Sequence, residues 1–524
     1  MKGKLRHLSF RRLGTADVHM RYLEEDPDLV PYLGRRARDV HELLAQAPIA
    51  APRVLGPADL GRALLGYAER HGAPAAALER AQALAEGQQA VMVVTGQQPG
   101  LLGGPLYTLH KAATAVRLAR ELEAAGGGLR VVPLFWNHTD DHDFDEVNRA
   151  FVVNQQQELQ RLRLDLPHAG EAIRHVAVGH AMEALLAQAG ELLPETEFRE
   201  WAFDLFRPRD PNEGLGAAMA RVLFALFGND GLLVIEPRDL PPPAFTVLEK
   251  WWRQGEKVRA SQRSTTEHLT ALGLDVGVDP GATLMFQLKG PRRVPLSEGD
   301  ALPHSVTDLS PGALLRPLWQ DACLPTIAFV VGPGELTYLS LAGPLYRLLG
   351  VPRPAFVPRA SLTLVEPSLA KLLAKFGWDL PDLAEGPEAL VQKRFAGDQA
   401  TVLERDLRVL ADYVERALGD IVARAQGSSH PHELGLASSI DKLRSKTVAD
   451  LTKVADKLQS SRADQQGSGA RQIRRLCATL RPRGRLQERV LVALPVLVSH
   501  GPKLGSLLVD AADPFCTEHG VLEL

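Results

Sequence analysis

The residues best suited to chemistry are concentrated at 140–146, where five carboxylates and one histidine follow an apolar run. Asp141, His142 and Asp143 are the candidate catalytic residues of this acidic cluster. One interpretation is a metal site, although adjacent residues cannot all face one ion and no spaced second histidine pair accompanies them. A second is general acid–base chemistry, since neighbouring carboxylates raise the pKa of a histidine. The third is structural: acidic residues favour the first turn of a helix, which explains Asp143 better than Asp141 or His142.

A second candidate site lies at 91–111, which begins with the apolar run Val-Met-Val-Val and continues into a glycine-rich loop. The run is typical of a strand buried on both faces of a parallel sheet. Apolar residues then recur at helical spacing and predict a helix over about 105–125. Free N–H groups at such a helix start favour an anion, although neither the Walker A motif nor the dinucleotide glycine spacing is present. The pattern therefore predicts a ligand at the end of a strand.

Three further groups of polar and glycine residues could reach the same ligand. The candidates are His110 and Lys111 in the predicted helix, Arg316, Gln320 and Asp321 before a later strand, and Gly332, Gly334 and Glu335 after that strand. Spacing alone does not show whether the first group faces the loop or the solvent. The second group is as consistent with an internal ion pair as with a substrate clamp. The third group ends a strand and is expected to share a crevice with the glycine loop.

The elements that must position these residues are those of an open α/β sheet. The predicted strands are 91–94, 129–136 (ending at Trp136), 231–236, 325–331 and, as the last, 355–357. The predicted helices include 56–71, 75–86, 244–270 and 336–349, and residues 1–85 as a whole are predicted to be helical. In such sheets ligands bind beyond the carboxyl ends of the strands, where the candidate residues lie.

The C-terminal part has a different pattern, that of an antiparallel helical hairpin. Two apolar stripes flank the breaker Gly-Ser-Ser-His-Pro at 427–431 and consist of Leu403, Leu407, Leu410, Val414, Leu418 and Ile421, then Ile440, Leu443, Thr447, Leu451, Val454 and Leu458. Their spacing is that of a coiled coil. The first helix, about 30 residues, would project roughly 45 Å, and so long a stripe is better buried in a dimer.

Composition excludes several classes of protein. The chain has 524 residues, enough for two or three domains, and 60 basic against 63 acidic residues give a net charge of −3. Neither nucleic acid nor a membrane surface is expected as a partner. Three distant cysteines favour neither a disulfide framework nor a cysteine zinc site. With no apolar run of about 18 residues or signal peptide, a cytoplasmic protein is expected.

Several motifs together resemble the bacillithiol biosynthesis cysteine-adding enzymes, the BshC family. These are Thr-Gly-Gln-Gln-x-Gly-Leu-x-x-Gly-Pro-Leu-Tyr-Thr-x-His-Lys at 95–111, Asp-His-Asp-Phe-Asp-Glu-Val at 141–147, Leu-Arg-Pro-Leu-x-Gln-Asp at 315–321, Gly-Pro-Gly-Glu-Leu-x-Tyr at 332–338, Val-Pro-Arg-Ala-Ser-x-Thr-Leu-Val-Glu at 357–366 and Leu-Gln-Glu-Arg at 486–489. The motifs occur in the expected order and span nearly the whole chain.

The resemblance implies a Rossmann-like core with two connecting insertions and a C-terminal coiled coil that forms a homodimer. It implies a ligase that joins the carboxylate of L-cysteine to the amine of glucosaminyl-malate, with ATP and magnesium as the candidate cosubstrate. No firmly bound cofactor or metal is implied. Carried over by position, the pocket would be lined by Thr95, Gly96, Gln97, Gln98, Gly100, Gly103, Gly104, Tyr107, Trp136, His110 and Lys111, with Asp141, His142 and Asp143 across from it.

Two positions depart from the family pattern as the resemblance has it. Thr139 and Asp140 replace a glycine or serine followed by a glutamate, so the pocket wall is expected to differ there. An interruption at 465–469 argues against one continuous second coiled-coil helix. A Lys-Met-Ser-Lys-Ser-like loop is also absent, so ATP stays a hypothesis.

The predicted organisation is a core at 1–150, 231–279 and 313–390, insertions at 151–230 and 280–312, a hairpin at 391–475, and a return to the core at 476–524. Two alternative functions stay open from the residues alone. The acidic cluster could serve a metal-dependent hydrolase or deacetylase. The chain could also be a non-catalytic, nucleotide-binding assembly protein built around its coiled coil.

Overall fold

The computed structural model describes residues 4–48, 53–275, 283–395, 402–429, 431–464 and 468–524. The chain forms two compact units, one made of Met1–Pro367 with Leu486–Leu524 and the other of Ser368–Arg485. The strands described, in chain order, are β1 (Lys4–Ser9), β2 (Val91–Gln97), β3 (Val131–Asn137), β4 (Arg149–Val153), β5 (Leu159–Arg163), β6 (Leu233–Ile235), β7 (Met285–Lys289), β8 (Arg292–Pro295), β9 (Leu309–Pro311), β10 (Thr326–Val331), β11 (Ala355–Pro358), β12 (Leu362–Val365) and β13 (Glu518–Glu523).

The α-helices described follow the predicted positions in most of the core. In chain order they are α1 (Asp17–Leu23), α2 (Val30–Leu33), α3 (Val40–Gln46), α4 (Pro57–Arg70), α5 (Ala75–Ala85), α6 (Tyr107–Ala125), α7 (Phe144–Val147), α8 (Gly179–Leu192), α9 (Arg199–Asp204), α10 (Leu215–Phe227), α11 (Pro243–Trp252), α12 (Gly255–Ala271), α13 (Arg316–Cys323), α14 (Pro333–Leu349), α15 (Pro367–Phe376), α16 (Pro387–Arg394), α17 (Val402–Gln426), α18 (Pro431–Asp464), α19 (Ser468–Leu480), α20 (Ala493–His500) and α21 (Lys503–Ala511). The predicted helix 244–270 is two helices, because the chain turns at Arg253 and Gln254, next to Gly255, and glycine favours helix weakly.

The core of the first unit is a five-stranded parallel sheet in the order β11-β10-β2-β3-β6. Its strands are almost fully buried because their apolar runs are covered on both faces. The predicted Rossmann-like α/β fold is confirmed. The carboxyl ends of β2, β3 and β10 meet at one edge, which brings the candidate loops together.

A second sheet joins the two ends of the chain. Strand β13 pairs antiparallel with β1 and parallel with β12. Two predictions are therefore wrong: residues 1–85 are not all helical, and β11 is not the last strand. The six residues of β1 contain only two large apolar side chains, and their partner lies about 500 residues away in the chain. A local sequence pattern does not indicate that a strand pairs with such a distant partner.

The segments predicted as insertions contain small β structures. Strands β4 and β5 form a hairpin, and helices α8 to α10 follow it. Strands β7, β8 and β9 form an antiparallel sheet in the order β8-β7-β9. Among the described residues, no helix has both the length and the apolar character needed to cross a membrane.

The second unit contains the predicted helical hairpin. Helices α17 and α18 run antiparallel, as the contacts of Arg408 with Asp456 and of Arg444 with Glu415 require. Residues 465–467 of the predicted interruption lie outside the described residues, and α19 begins just after them. The unit extends beyond the predicted 391–475 at both ends, since α16 packs on both α18 and α19.

The seam between α17 and α18 is only partly the one predicted. The buried residues are mostly small, with Ala411 and Ala425 on α17 facing Ala437 and Ala455 on α18. Seven residues of the predicted stripes are half-buried, whereas the other five, Leu403, Leu410, Ile421, Leu443 and Val454, are exposed. Small residues let the two backbones approach closely, and these five side chains lie beside that contact.

Candidate active site

A cavity of about 410 Å³ lies at the carboxyl ends of β2 and β3. It is lined by Gly96, Gln97, Gln98, His138, Asp141, Thr283, Phe286, Arg293, Ala313, Arg316, Glu335 and Tyr338. Six of these residues are sequence candidates, drawn from four separate motifs. A larger cavity of about 520 Å³ lies beside α8 and α9, but its polar lining consists of surface arginines and glutamates. The strand-end cavity is the better candidate because it gathers buried charged groups.

Lys111 lies just behind the lining of this cavity and contacts three residues that line it, Gly96, Gln97 and Glu335. Its Nζ is 2.5 Å from Glu335 Oε2 and donates to the backbone oxygen of Gly96 at 2.7 Å. Burial lowers the pKa of Lys111, and the Glu335 carboxylate opposes that effect. The spacing of the sequence did not show which way Lys111 points. The packing of α6 against β2 turns its side chain toward the glycine-rich loop.

His110 points in the opposite direction, into a buried network around Glu488. Its Nδ1 is 2.9 Å from Glu488 Oε2. Glu488 also accepts two hydrogen bonds from Arg359, one from the Ser361 hydroxyl and one from the Leu362 amide. Burial lowers the pKa of His110. His110 therefore does not line the cavity but helps to fix the helix that carries Lys111.

The residues of the acidic cluster form hydrogen bonds and ion pairs with different partners. Asp141 accepts from Gln98 at 2.6 Å and from the His142 amide at 2.7 Å. Burial would raise the pKa of Asp141, but hydrogen bonding to His142 and the electrostatic effects of His138 and Arg293 outweigh it and hold that pKa well below the usual range. Asp143 is exposed and caps α7 by accepting the amide of Glu146. The structural interpretation is thus confirmed for Asp143.

Asp140, the departure from the family pattern, is turned away from the cavity and fully buried. Arg238 Nε lies 2.8 Å from both of its oxygens, and Ser310 donates to it at 3.2 Å. His142 lies 3.2 Å from Arg293 Nη1, whose guanidinium stacks 3.9 Å from the centre of the Phe286 ring. Within the described ranges, no three His, Cys, Asp or Glu side chains gather as metal ligands would. This pairing of carboxylates with arginines weighs against the metal-dependent hydrolase.

The start of α6 does not present the open amides expected of an anion site. The amides of Leu106, Thr108, Leu109 and His110 all donate to backbone carbonyls, that of Leu106 to Leu491. Gly100, Gly103, Gly104 and Tyr107 shape the turn without lining the cavity. At Gly103, with φ +86°, an added Cβ would lie 2.7 Å from that of Ala493. The glycines therefore serve a tight turn packed on the C-terminal segment.

The other candidates have structural contacts. Thr95 is buried and donates to the carbonyl of Val330, tying β2 to β10. Trp136 packs edge-to-face on Trp319 in the core. Gly332 begins α14, and its amide donates to Glu335 Oε2 at 2.7 Å, while Gly334 lies in the first turn.

Gln320 and Asp321 face a buried network behind the cavity. Gln320 donates to Asp321, whose other oxygen accepts the Tyr346 hydroxyl at 2.6 Å. Burial raises the pKa of Asp321 to about 6. Gln320 and Asp321 therefore belong to an internal polar network. They do not form the substrate clamp that the sequence had left open as an alternative.

Asp321→Asn is expected to raise the free energy of unfolding at pH 8 by about 1–3 kcal/mol. A raised carboxyl pKa gives stability that is complete below its unfolded value of 3.8 and is lost as pH rises through about 6. Asparagine is neutral throughout and still accepts the Tyr346 hydroxyl. Denaturation at pH 4.5 and pH 8 measures the effect, with exposed Asp510→Asn as the matched control. An equal change at both pH values would contradict the assignment.

Four residues with ionisable or aromatic side chains in the lining were missed in the sequence. His138 lies one residue beyond the end of β3, and burial lowers its pKa to about 3, so its ring is neutral at pH 7. Tyr338 lies one turn after Glu335, a spacing that could have identified it. Arg293 and Phe286 come from the predicted second insertion, where no local signal marks them.

Arg316 differs from the other cations of the site. It is 9% exposed, and its Nη2 donates to the Tyr338 hydroxyl at 2.9 Å. In the part of the chain that the structure describes, no carboxylate lies within ion-pair distance of its guanidinium. The cavity lining therefore combines the carboxyl groups of Asp141 and Glu335 with Arg316, which forms no ion pair with the described residues, and Lys111 lies behind Glu335.

Comparison with known proteins gives matches over nearly the whole chain. Residues 5–360 match the family model of the N-terminal Rossmann-like domain of bacillithiol biosynthesis BshC, and residues 362–524 match that of its C-terminal coiled-coil domain. A relative from Salinibacter ruber named "Putative cysteine ligase BshC" is 30% identical over 487 residues, which cover 88% of this chain and 87% of the relative. One of the same name from a strain of Thermus thermophilus is 30% identical over 469 residues, covering 86% and 91%.

Proposed function

Because the chain belongs to the BshC family and is a ligase of bacillithiol biosynthesis, we propose that it joins L-cysteine to glucosaminyl-malate through an amide bond. The observation that supports this most strongly is the strand-end cavity, where cationic and anionic side chains face one space. Both reactants are small, polar and charged, as such a cavity requires.

The reaction makes one bond and breaks one. The amine nitrogen of the sugar conjugate attacks the carboxyl carbon of cysteine, gives up a proton, and displaces one carboxyl oxygen as part of a leaving group. Arg316 can contact a carboxyl oxygen as the bond forms, and Lys111, held behind the lining by Glu335, adds positive charge to the site. The carboxyl groups of Asp141 and Glu335 can hold ammonium groups in place or accept the released proton.

A free carboxylate needs an activating co-reactant, and we propose ATP with magnesium in this role on chemical grounds and on the family resemblance. ATP would provide the leaving group on the carboxyl oxygen. The residues predicted to hold its phosphates do not fit that task, since the α6 amides are bonded and Lys111 is paired. Magnesium at nucleotide sites is held mainly by phosphates with one or two carboxylates.

Reconstitution tests this proposal directly. Purified full-length chain is incubated with L-cysteine and glucosaminyl-malate, with and without ATP and magnesium, and products are identified by mass spectrometry. The amide conjugate is expected only with ATP. Product without ATP would overturn the cosubstrate, and unreacted substrates in every mixture would overturn the ligase assignment.

We also propose that two chains associate through the hairpin. Leu403, Leu410, Ile421, Leu436, Leu443 and Val454 are all between 37% and 57% exposed. Each lies one residue before a buried or half-buried position, so it is rotated about 100° from the seam. In an antiparallel pair this shift places both rows on the same side of the hairpin. A continuous apolar face of this kind fits the same face of a second copy.

Leu410→Glu combined with Leu443→Glu is expected to raise the dimer Kd at least about 100-fold, since each buried leucine contributes about 1.5–3 kcal/mol. Sedimentation measures the association state and circular dichroism the fold. Val409→Glu is the matched control, because Val409 is 67% exposed but lies off the row. A wild-type monomer, or dissociation by the control alone, would contradict the interface.

We propose that the chain acts in the cytoplasm, where cysteine and reduced thiols are kept. Cell fractionation with an antibody to the full chain tests this, and recovery in the membrane fraction after a salt wash would contradict it.

A further inference from the structure

Arg316, Tyr338 and Glu335 form a chain of polar groups along one wall of the strand-end cavity. The Tyr338 hydroxyl accepts from Arg316 Nη2 at 2.9 Å and donates to Glu335 Oε1 at 3.3 Å. One phenol oxygen thus links a guanidinium to a carboxylate, and all three side chains line the cavity.

The cationic end of this chain, Arg316, forms no ion pair with the residues that the structure describes. Arg316 is almost completely buried, and its hydrogen bond goes to a neutral hydroxyl. A buried guanidinium is stable only when a negative group or several acceptors satisfy its donors. The other cations of the site have such partners, Arg293 with Asp141 and Lys111 with Glu335. Among the described lining residues, Arg316 is therefore the cation available to a ligand carboxylate.

At the anionic end, one carboxyl oxygen of Glu335 accepts strong hydrogen bonds and the other can accept a further one. Glu335 Oε2 receives Lys111 Nζ and the amide of Gly332. Within the described residues, Glu335 Oε1 receives only the longer bond from Tyr338. An ammonium group entering the cavity would find this oxygen able to accept another hydrogen bond.

We propose that Arg316, Tyr338 and Glu335 form a clamp for the backbone of a free α-amino acid, with its carboxylate on Arg316 and its ammonium on Glu335. The inference rests on the proposed function, in which L-cysteine is the substrate with both groups on one carbon. Glucosaminyl-malate fits less well, because its malate brings two carboxylates to a site with one available cation. The neutral His138 ring and Phe286 also suit an uncharged thiol side chain.

The clamp gives the reaction its direction. An ammonium held by Glu335 keeps its proton and has no lone pair, so bound cysteine does not act as the attacking amine. Its carboxylate, held by Arg316, is the group that accepts the amine of the second substrate. Self-condensation of cysteine is thereby suppressed.

Calorimetric titration of the full-length protein under reducing conditions tests the clamp. The probes are L-cysteine, cysteamine without the carboxylate, 3-mercaptopropionate without the ammonium, and L-malate. We expect L-cysteine to bind at least about ten-fold more tightly than any other probe, since each charged hydrogen-bond pair lowers the Kd about ten-fold.

Arg316→Gln should raise the Kd of L-cysteine and of 3-mercaptopropionate about ten-fold. The Kd of cysteamine, which has no carboxylate, should not change. Tyr338→Phe, which keeps the ring, should weaken L-cysteine several-fold and provides a second variant if the first does not fold. Arg117→Gln on the surface of α6 is the control and should bind as wild type.

Two results would overturn the clamp. One is wild-type binding of L-malate, lost in Arg316→Gln, with L-cysteine unaffected, which assigns Arg316 to the sugar conjugate and leaves the ligase function intact. The other is equal loss of cysteamine and L-cysteine in Arg316→Gln. A failure of the ligase function itself would appear instead as no amide product alongside normal L-cysteine binding.

Discussion

Glu488→Ala is expected to lower the free energy of unfolding by about 3–5 kcal/mol. The substitution leaves the Arg359 guanidinium and the His110 ring buried without their shared acceptor. Both partners are almost completely buried, so solvent cannot replace the lost bonds. Urea denaturation followed by circular dichroism measures the change, with exposed Glu518→Ala as the matched control. A loss no larger than that of the control would contradict the network's importance.

The pH dependence of stability tests the role of Glu488 in a second way. Burial alone would raise the pKa of Glu488, but Arg359 and the other donors outweigh it and hold that pKa well below its usual range. A lowered carboxyl pKa gives stability that is present above the unfolded value, 4.5, and is lost as pH falls. The advantage of wild type over Glu488→Gln should therefore shrink below about pH 4.5.

Lys111→Met is expected to reduce kcat/KM for amide formation at least about 100-fold, the usual effect of removing one positioned donor from an active site. Its Nζ is the one lysine nitrogen that contacts residues lining the cavity, within the described ranges. Methionine keeps the length of the side chain, so the loss of charge is the main change. Initial rates with both substrates varied measure the effect.

A structural role for Lys111 predicts a different pattern. If Lys111 only neutralises Glu335, adding Lys111→Met to the Glu335→Gln variant should cause no further loss of activity. We expect a further loss, because the charge of Lys111 then still contributes to the reaction. A double variant as active as Glu335→Gln alone would contradict a role for Lys111 in the reaction.

The parts of the fold that local patterns encode were predicted well. Strands β2 and β3 and helix α6 follow from apolar runs and helical spacing within about 50 residues. The hairpin break at 427–431 follows from its glycine and proline. The coiled-coil seam was predicted only in part. Stripe residues such as Leu407 are half-buried, but the most buried positions include alanines such as Ala411 and Ala455, which the spacing of larger apolar residues does not indicate.

The candidate site was predicted only in part, for a physical reason. Motif order identified Asp141, Arg316 and Glu335, which come from the ends of strands or the helices beside them. Which way His110 and Lys111 point depends on how α6 is rotated against the sheet, and spacing does not contain that rotation. The partner of His110 lies 378 residues away, and Arg293 comes from a separate insertion. Such long-range contacts appear only when the chain is folded.

The central claim, that this chain adds cysteine in bacillithiol synthesis, is tested most directly in cells that lack it. Low-molecular-weight thiols of a deletion strain are labelled and identified by mass spectrometry, with wild-type and Lys111→Met chains returned on a plasmid. We predict loss of bacillithiol and accumulation of glucosaminyl-malate, reversed by the wild-type chain and not by the variant. An unchanged thiol profile in the deletion strain would contradict the ligase and favour a non-catalytic assembly protein.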